Sequence, residues 1–178
     1  MTLVPESQPR DNVEGNINVK LMFDSMPTIL GDDWVAGLED RKREEAEFHD
    51  EDRLDHVDEH SHSGEDASRA NRRFYQAMDP PSRYVERWLQ ENAPGKVFLD
   101  YACGHGKLTV SAAKAGASIS VGIDISQVSV QNAAENADSA GVADSTRFLQ
   151  RDCENTMFPD NTFDLCICSG VLHHMDLP

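Results

Sequence analysis

Basic side chains are scarce in this sequence of 178 residues, which has 16 lysines and arginines against 32 aspartates and glutamates and a formal net charge of −16. Such an excess of acid repels polyanions and argues against a protein that coats nucleic acid or lies on an anionic membrane surface. No apolar run approaches the roughly 20 residues that a membrane-spanning helix needs. The first nine residues lack a basic segment followed by an apolar one, so no secretory signal is visible. These absences predict a soluble cytoplasmic protein without nucleic-acid or membrane partners.

Cysteine is rare as well, with four residues and no Cys-x-x-Cys pair. All four lie in the second half of the chain, at Cys103, Cys153, Cys166 and Cys168. Because structural zinc sites and disulfide frameworks use characteristic spacings, this pattern predicts buried, reduced thiols.

The character of the chain changes near Pro94-Gly95. Residues 1–38 show no sustained hydrophobic periodicity, which predicts a leader that is flexible unless it docks on another part of the protein. Residues 39–94 are expected to form an acidic helical region. Its segment 41–48 is rich in helix formers and charge, which predicts a solvated helix. The helices of this region are expected to cover the domain that follows.

Residues 95–178 alternate between apolar runs and helical patterns. Strands are expected at 97–99, 119–123, 146–149 and 163–168, and helices at 104–116 and 126–141. Nearly continuous apolar strands separated by helices indicate a parallel sheet that is covered on both faces. The sequence therefore predicts an α/β fold with a Rossmann-like sheet.

A glycine turn follows the first strand, in the segment Asp100-Tyr101-Ala102-Cys103-Gly104-His105-Gly106. Such a turn lets a ligand approach the backbone at the start of the next helix. The spacing differs from the G-x-G-x-x-G of dinucleotide-binding proteins, and Asp100 would repel a pyrophosphate. A cofactor with an ammonium group and a ribose fits better, with the ammonium near Asp100 and the ribose at Asp124. S-adenosylmethionine is such a cofactor.

These residues resemble the class I S-adenosylmethionine-dependent methyltransferases. Segment 97–106 is similar to their first motif, 121–126 to their acidic strand-two motif, and 151–174 to the type-11 small-molecule branch. The resemblance implies methyl transfer to a small-molecule acceptor. It also implies a set of cofactor-binding residues: Asp100, Ala102, Cys103, Gly104 and Gly106 at the methionine moiety, Asp124 at the ribose, Ile125, Asp152 and Cys153 at the adenine, and Ser169 near the methionine end.

Two features depart from that family. Ala102 stands where glycine is commoner, and we expect it to exclude a positive φ at this position. The sequence stops at Pro178, after the fourth of seven strands in the family order 3-2-1-4-5-7-6. We therefore expect an incomplete, inactive catalytic domain whose fourth strand is an exposed edge, open to self-association.

The catalytic residues are not readable from the sequence, although His173 is a candidate general base. Methyl transfer is an in-line displacement, and it needs a base only when the acceptor must lose a proton. The histidines at 49, 56, 60 and 62 stand among acidic residues without a cysteine, so no metal site is expected. A non-catalytic module that binds S-adenosylmethionine or a nucleotide and acts through protein partners stays open as an alternative. A dinucleotide oxidoreductase is disfavoured by the glycine spacing.

Overall fold

The computed structural model describes residues 13–55 and 83–176. His56, His60 and His62 lie outside these ranges. No helix within the described ranges is long and apolar enough to cross a bilayer.

Four strands form the parallel sheet that the sequence predicted: β1 (Val97–Tyr101), β2 (Ile119–Asp124), β3 (Thr146–Gln150) and β4 (Leu165–Cys168). Their order across the sheet is β3-β2-β1-β4. In the register, Leu99 of β1 lies between Val121 of β2 and Cys166 of β4. The α/β, Rossmann-like fold class is confirmed, and β4 has no strand on its outer side within the described residues.

Helices cover both faces of the sheet: α1 (Val13–Asp24), α2 (Asp32–Ala36), α3 (Asp40–Asp55), α4 (residues 83–92 as described), α5 (Lys107–Lys114) and α6 (Gln127–Ser139). On one face, Phe23 of α1 packs against Leu99 and Val121. On the other face, Leu89 of α4 packs against Phe98. The alternation of side chains along β1 divides these two cores, because successive residues of a strand point to opposite faces.

The segment expected as a leader docks on the sheet where the structure describes it. Phe23 is 1% exposed. Beyond α1 the chain follows the end of β3, where the amide of Gln150 donates to the carbonyl of Thr28 at 2.7 Å. The side-chain oxygen of Gln150 in turn accepts from the amide of Leu30 at 2.9 Å. The sequence predicted a flexible leader unless it docked on another part of the protein. These contacts show such docking for the described part of the leader.

The prediction of a solvated helix at 41–48 is wrong for one face of α3. Ala46 is 1% exposed and Lys42 is 8% exposed. Farther along the same face, Asp50 accepts hydrogen bonds from the Ser126 hydroxyl at 2.6 Å and from the Val128 amide at 3.0 Å. This face is buried through ion pairs and hydrogen bonds, which a pattern of hydrophobic residues does not reveal.

The cysteines are free thiols, but they are not uniformly buried as expected. Cys166 and Cys168 are exposed, and Cys103 and Cys153 are partly buried. The expectation rested on a fourth strand that is apolar on both faces, whereas β4 alternates between half-buried and exposed positions.

Candidate functional site

A pocket of about 210 Å³ lies between α3 and the carboxyl ends of the strands. Seven of the ten residues expected to bind the cofactor line it: Ala102, Gly104, Asp124, Ile125, Asp152, Cys153 and Ser169. They follow all four strands, because the carboxyl ends of parallel strands meet at one edge of the sheet. Asp100, Cys103 and Gly106 are not part of the pocket wall.

Asp124 is the carboxylate at the end of β2, and it is 7% exposed. Its two oxygens accept from the amide of Gly104 at 2.9 Å and from the amide of Ser126 at 3.0 Å. Burial raises the pKa of Asp124, while these amide bonds and the charges of His49 and Arg53 oppose the rise. The carboxylate is thus fixed in orientation at the pocket wall, and each oxygen retains a lone pair beyond the one used by its amide.

The glycine turn between β1 and α5 is built from left-handed residues. Gly104 has φ 51° and Gly106 has φ 74°. Ala102 has φ 50°, so the expectation that alanine would exclude a positive φ is wrong. The left-handed region costs an alanine only about 1–2 kcal/mol, which the surrounding turn can impose.

Gly106 serves packing and does not line the pocket. A Cβ at this position would lie 2.7 Å from a ring carbon of Phe148 and 2.9 Å from the Cβ of Ala133. Only glycine therefore allows α5 to start this close to α6 and β3.

Asp100 lies beneath the turn rather than at its mouth. It is 3% exposed, and one carboxylate oxygen accepts from the Thr109 hydroxyl at 2.9 Å and from the Thr109 amide at 3.2 Å. Burial raises the pKa of Asp100 to about 6, against the lowering effect of the two bonds from Thr109. The carboxyl group supports the first turn of α5 from inside.

At the β3 end of the pocket, Lys42 of α3 bridges two acids. Its ammonium lies 2.7 Å from Asp152 and 2.8 Å from Glu154. Burial opposes the charge on Lys42, but the hydrogen bonds to Asp152, Glu154 and Glu39 raise its pKa above the ordinary value. The bond from Lys42 lowers the pKa of Glu154 to about 2. Burial raises the pKa of the neighbouring Cys153 to about 12, so this thiol is protonated at neutral pH.

Two histidines meet one carboxylate at the β4 side of the pocket. Glu45 lies 2.8 Å from Nδ1 of His174 and 3.1 Å from Nε2 of His49. His174 lines the pocket, whereas His173, the candidate base from the sequence, is not part of its wall. A histidine held at Nδ1 by a carboxylate presents Nε2 as a proton acceptor, which is the arrangement of an oriented general base. Within residues 13–55 and 83–176, no group of three or more His, Cys, Asp or Glu side chains fits a metal ion.

The sequence reasoning missed most of the wall that α3 contributes. Its pocket residues are Arg41, Lys42, Glu45, His49 and Arg53. Positions 42, 45, 49 and 53 are three or four residues apart and share one helix face. Charged residues also occupy the other faces of α3, so this spacing alone did not distinguish the pocket face from a solvated one.

Comparison with known proteins finds a family match for the second half of the chain. Residues 98–178 match the family model described as a methyltransferase domain. Ribosomal protein L11 methyltransferase from Burkholderia mallei (strain NCTC 10229) is 37% identical over 105 residues, which cover 58% of this chain and 33% of the relative. The protein of the same name from Burkholderia lata is 36% identical over a stretch of equal length. The chain thus spans about a third of the length of these curated relatives.

A solved structure supports the same fold. Magnesium protoporphyrin IX methyltransferase from Synechocystis PCC 6803, with bound S-adenosylmethionine, matches with a TM-score of 0.59 and 24% sequence identity. The match covers 78% of this chain and 66% of that one. At this identity the likeness shows the fold.

Proposed function

Since residues 98–178 are a class I S-adenosylmethionine-dependent methyltransferase domain, we propose that the pocket beneath α3 binds S-adenosylmethionine and that the protein transfers its methyl group to a small-molecule acceptor. The identity of the cofactor follows from the family. The proposal concerns which residues bind it and which class of molecule accepts the methyl group.

The order of the pocket residues along the sheet edge carries this proposal. Asp152, Asp124 and Gly104 follow β3, β2 and β1, which are neighbours in that order. Adenine, ribose and methionine are joined in the same linear order in S-adenosylmethionine. Carboxylates suit the adenine amino group and the ribose hydroxyls as hydrogen-bond acceptors, and their charge attracts a cationic ligand. The residues present therefore fit this cofactor.

The bound cofactor would supply a methyl group on a positively charged sulfur. The protein's own part is to bind and orient the two reactants and to exclude water, for which α3 forms the cover of the pocket. His174, fixed by Glu45, is better placed than His173 to take a proton from an acceptor that must lose one.

The contribution of Asp124 to cofactor binding can be measured directly. We expect Asp124→Asn to weaken binding of S-adenosylhomocysteine by about 1.5–3 kcal/mol, roughly ten- to a hundred-fold, because hydrogen bonds to a charged carboxylate are lost. Isothermal calorimetry on the folded variant measures this change. Asp138→Asn, at an exposed position of α6, is the matched control. Unchanged affinity in a folded Asp124→Asn protein would remove Asp124 from the site.

A small-molecule acceptor is favoured over nucleic acid by the net charge of −16, which opposes binding to a polyanion. A protein acceptor is the competing choice, because the matched curated relatives are named for methylation of a ribosomal protein. Incubation of the full-length protein with methyl-tritiated S-adenosylmethionine separates these choices, with a metabolite extract in one arm and ribosomal proteins in the other. Label in the small-molecule fraction alone is expected, and label only on protein would overturn this part of the proposal.

The same assay addresses the alternative of a non-catalytic binding module. Cofactor binding without label in either arm favours that alternative. The cytoplasmic location predicted from the sequence is retained as part of the proposal, supported by four cysteines that form no disulfide.

A further inference from the structure

Three cationic side chains of α3 line the pocket, and they differ in their carboxylate partners. Arg41 lies 2.7 Å from Glu154. Lys42 lies within 3.1 Å of three acids, Glu39, Asp152 and Glu154. These two charges are therefore compensated within the protein.

Arg53 is different. Among the described residues, the carboxylate oxygen that pairs with Arg53 belongs to Asp52 and lies 3.9 Å from Nε, which is beyond hydrogen-bond distance. Its Nε atom is buried and has no hydrogen-bond partner among residues 13–55 and 83–176. Its Nη1 atom lies 2.9 Å from Nε2 of His105, a ring that carries no negative charge. Among the described residues the guanidinium of Arg53 is therefore only weakly paired, with one desolvated donor left unused, and at the pocket wall it suits an anionic group of a ligand.

The guanidinium of Arg53 lies over the glycine turn after β1. Its Nη2 atom is the atom that a Cβ on Gly104 would meet, at 3.9 Å, and His105 belongs to the same turn. Its charge also acts on Asp124 by lowering that pKa. Arg53 therefore lies beyond the ribose position, at the end of the pocket where the proposed binding mode places the methionine moiety.

We propose that Arg53 binds the α-carboxylate of the methionine moiety of S-adenosylmethionine, so that α3 is part of the cofactor site. A planar guanidinium suits a carboxylate, since its donors match the two oxygens. This inference rests on the proposed function, because it assumes that this cofactor occupies the pocket.

The test compares two ligands that differ in the methionine moiety. S-adenosylhomocysteine carries the amino-acid chain, whereas 5′-methylthioadenosine has the same adenine, ribose and sulfur without it. We expect Arg53→Met to weaken binding of S-adenosylhomocysteine at least ten-fold in calorimetry and to change binding of 5′-methylthioadenosine less than two-fold. Arg53→Lys, which keeps the charge but not the fork, should lose less affinity for S-adenosylhomocysteine than Arg53→Met.

Arg43→Met is the matched control, because Arg43 lies on α3 but pairs with Asp40 outside the pocket. It should leave the affinities for both ligands unchanged. Equal losses for the two ligands in folded Arg53→Met, or no loss for S-adenosylhomocysteine, would overturn the role of Arg53 while the cofactor site stands. If Arg53→Met does not fold, the same comparison with Arg53→Lys decides the question. Absence of binding of either ligand to the unaltered protein would refute the proposed function, and this inference with it.

Discussion

Asp100 and Asp124 lie near the carboxyl ends of the neighbouring strands β1 and β2, yet their surroundings give the two carboxyl groups different roles. Asp124 reaches the pocket and is held by two backbone amides. Within the part of the chain that the structure describes, Asp100 accepts from Thr109 and is not part of the pocket wall. The sequence identified both acids but could not distinguish a ligand-facing carboxylate from one that supports the turn.

The raised pKa of Asp100 gives a pH prediction. Its pKa is about 6 in the folded protein against 3.8 for an ordinary aspartate. The fold therefore favours the protonated group, and this contribution to stability is present below pH 3.8 and lost as the pH rises through about 6. Asp100→Asn, which resembles the protonated form, should raise the free energy of unfolding at pH 8 relative to the unaltered protein by about 2.5 kcal/mol more than at pH 4.

Urea unfolding at the two pH values measures that difference. Asp144→Asn, at an exposed aspartate, should show no such dependence. An equal effect of Asp100→Asn at pH 4 and pH 8 would mean that folding does not change the pKa of Asp100.

At the scale of elements, the turn from β1 into α5 depends on close packing with α6. Gly106→Ala should destabilise the protein through two effects, a left-handed φ of 74° and a Cβ placed 2.7 Å from Phe148. Gly141→Ala is a control for the first effect alone, because Gly141 has φ 71° and open space around it. We expect about 1 kcal/mol for Gly141→Ala and an additional 1–3 kcal/mol or so for Gly106→Ala. Equal midpoints for the two variants in thermal unfolding would contradict the close contact.

At the scale of the whole molecule, β4 is an edge strand within the described residues, and its Cys166 is exposed. Self-association through this edge stays a prediction. Unpaired backbone groups on an apolar edge favour pairing with a second copy, and a lysine there opposes it. Sedimentation velocity in reducing buffer should show association of the unaltered chain that rises with micromolar concentration. Cys166→Lys should shift the protein toward monomer.

Cys166→Ser controls for loss of the thiol without an added charge, and it should associate like the unaltered chain. A monomer at every concentration, or undiminished association of Cys166→Lys, would contradict an interface at this edge. The net charge of −16 opposes self-association at long range, but screening limits that repulsion to about 8–10 Å in physiological salt.

The sequence by itself determined the sheet and the residues at its carboxyl edge. Nearly continuous apolar runs and the glycine turn are local signals, and they led to the parallel sheet and to Asp124, whereas the strand order was implied by the family resemblance. The helix predicted to begin at residue 126 is capped there, since the Ser126 hydroxyl accepts from the amide of Ser129 at 2.9 Å. Such features follow from short-range chemistry that a linear pattern contains.

Only the tertiary structure decided what α3 does. Its burial rests on contacts more than 50 residues distant in sequence, such as Lys42 with Asp152 and Arg53 with His105. A charged helix face has the same composition whether it meets water or buried partners, so hydropathy cannot tell the two apart. The choice of His174 over His173 has the same origin, since it depends on which ring reaches Glu45 across the pocket. Packing against distant charges, rather than local propensity, made this acidic helix a wall of the site.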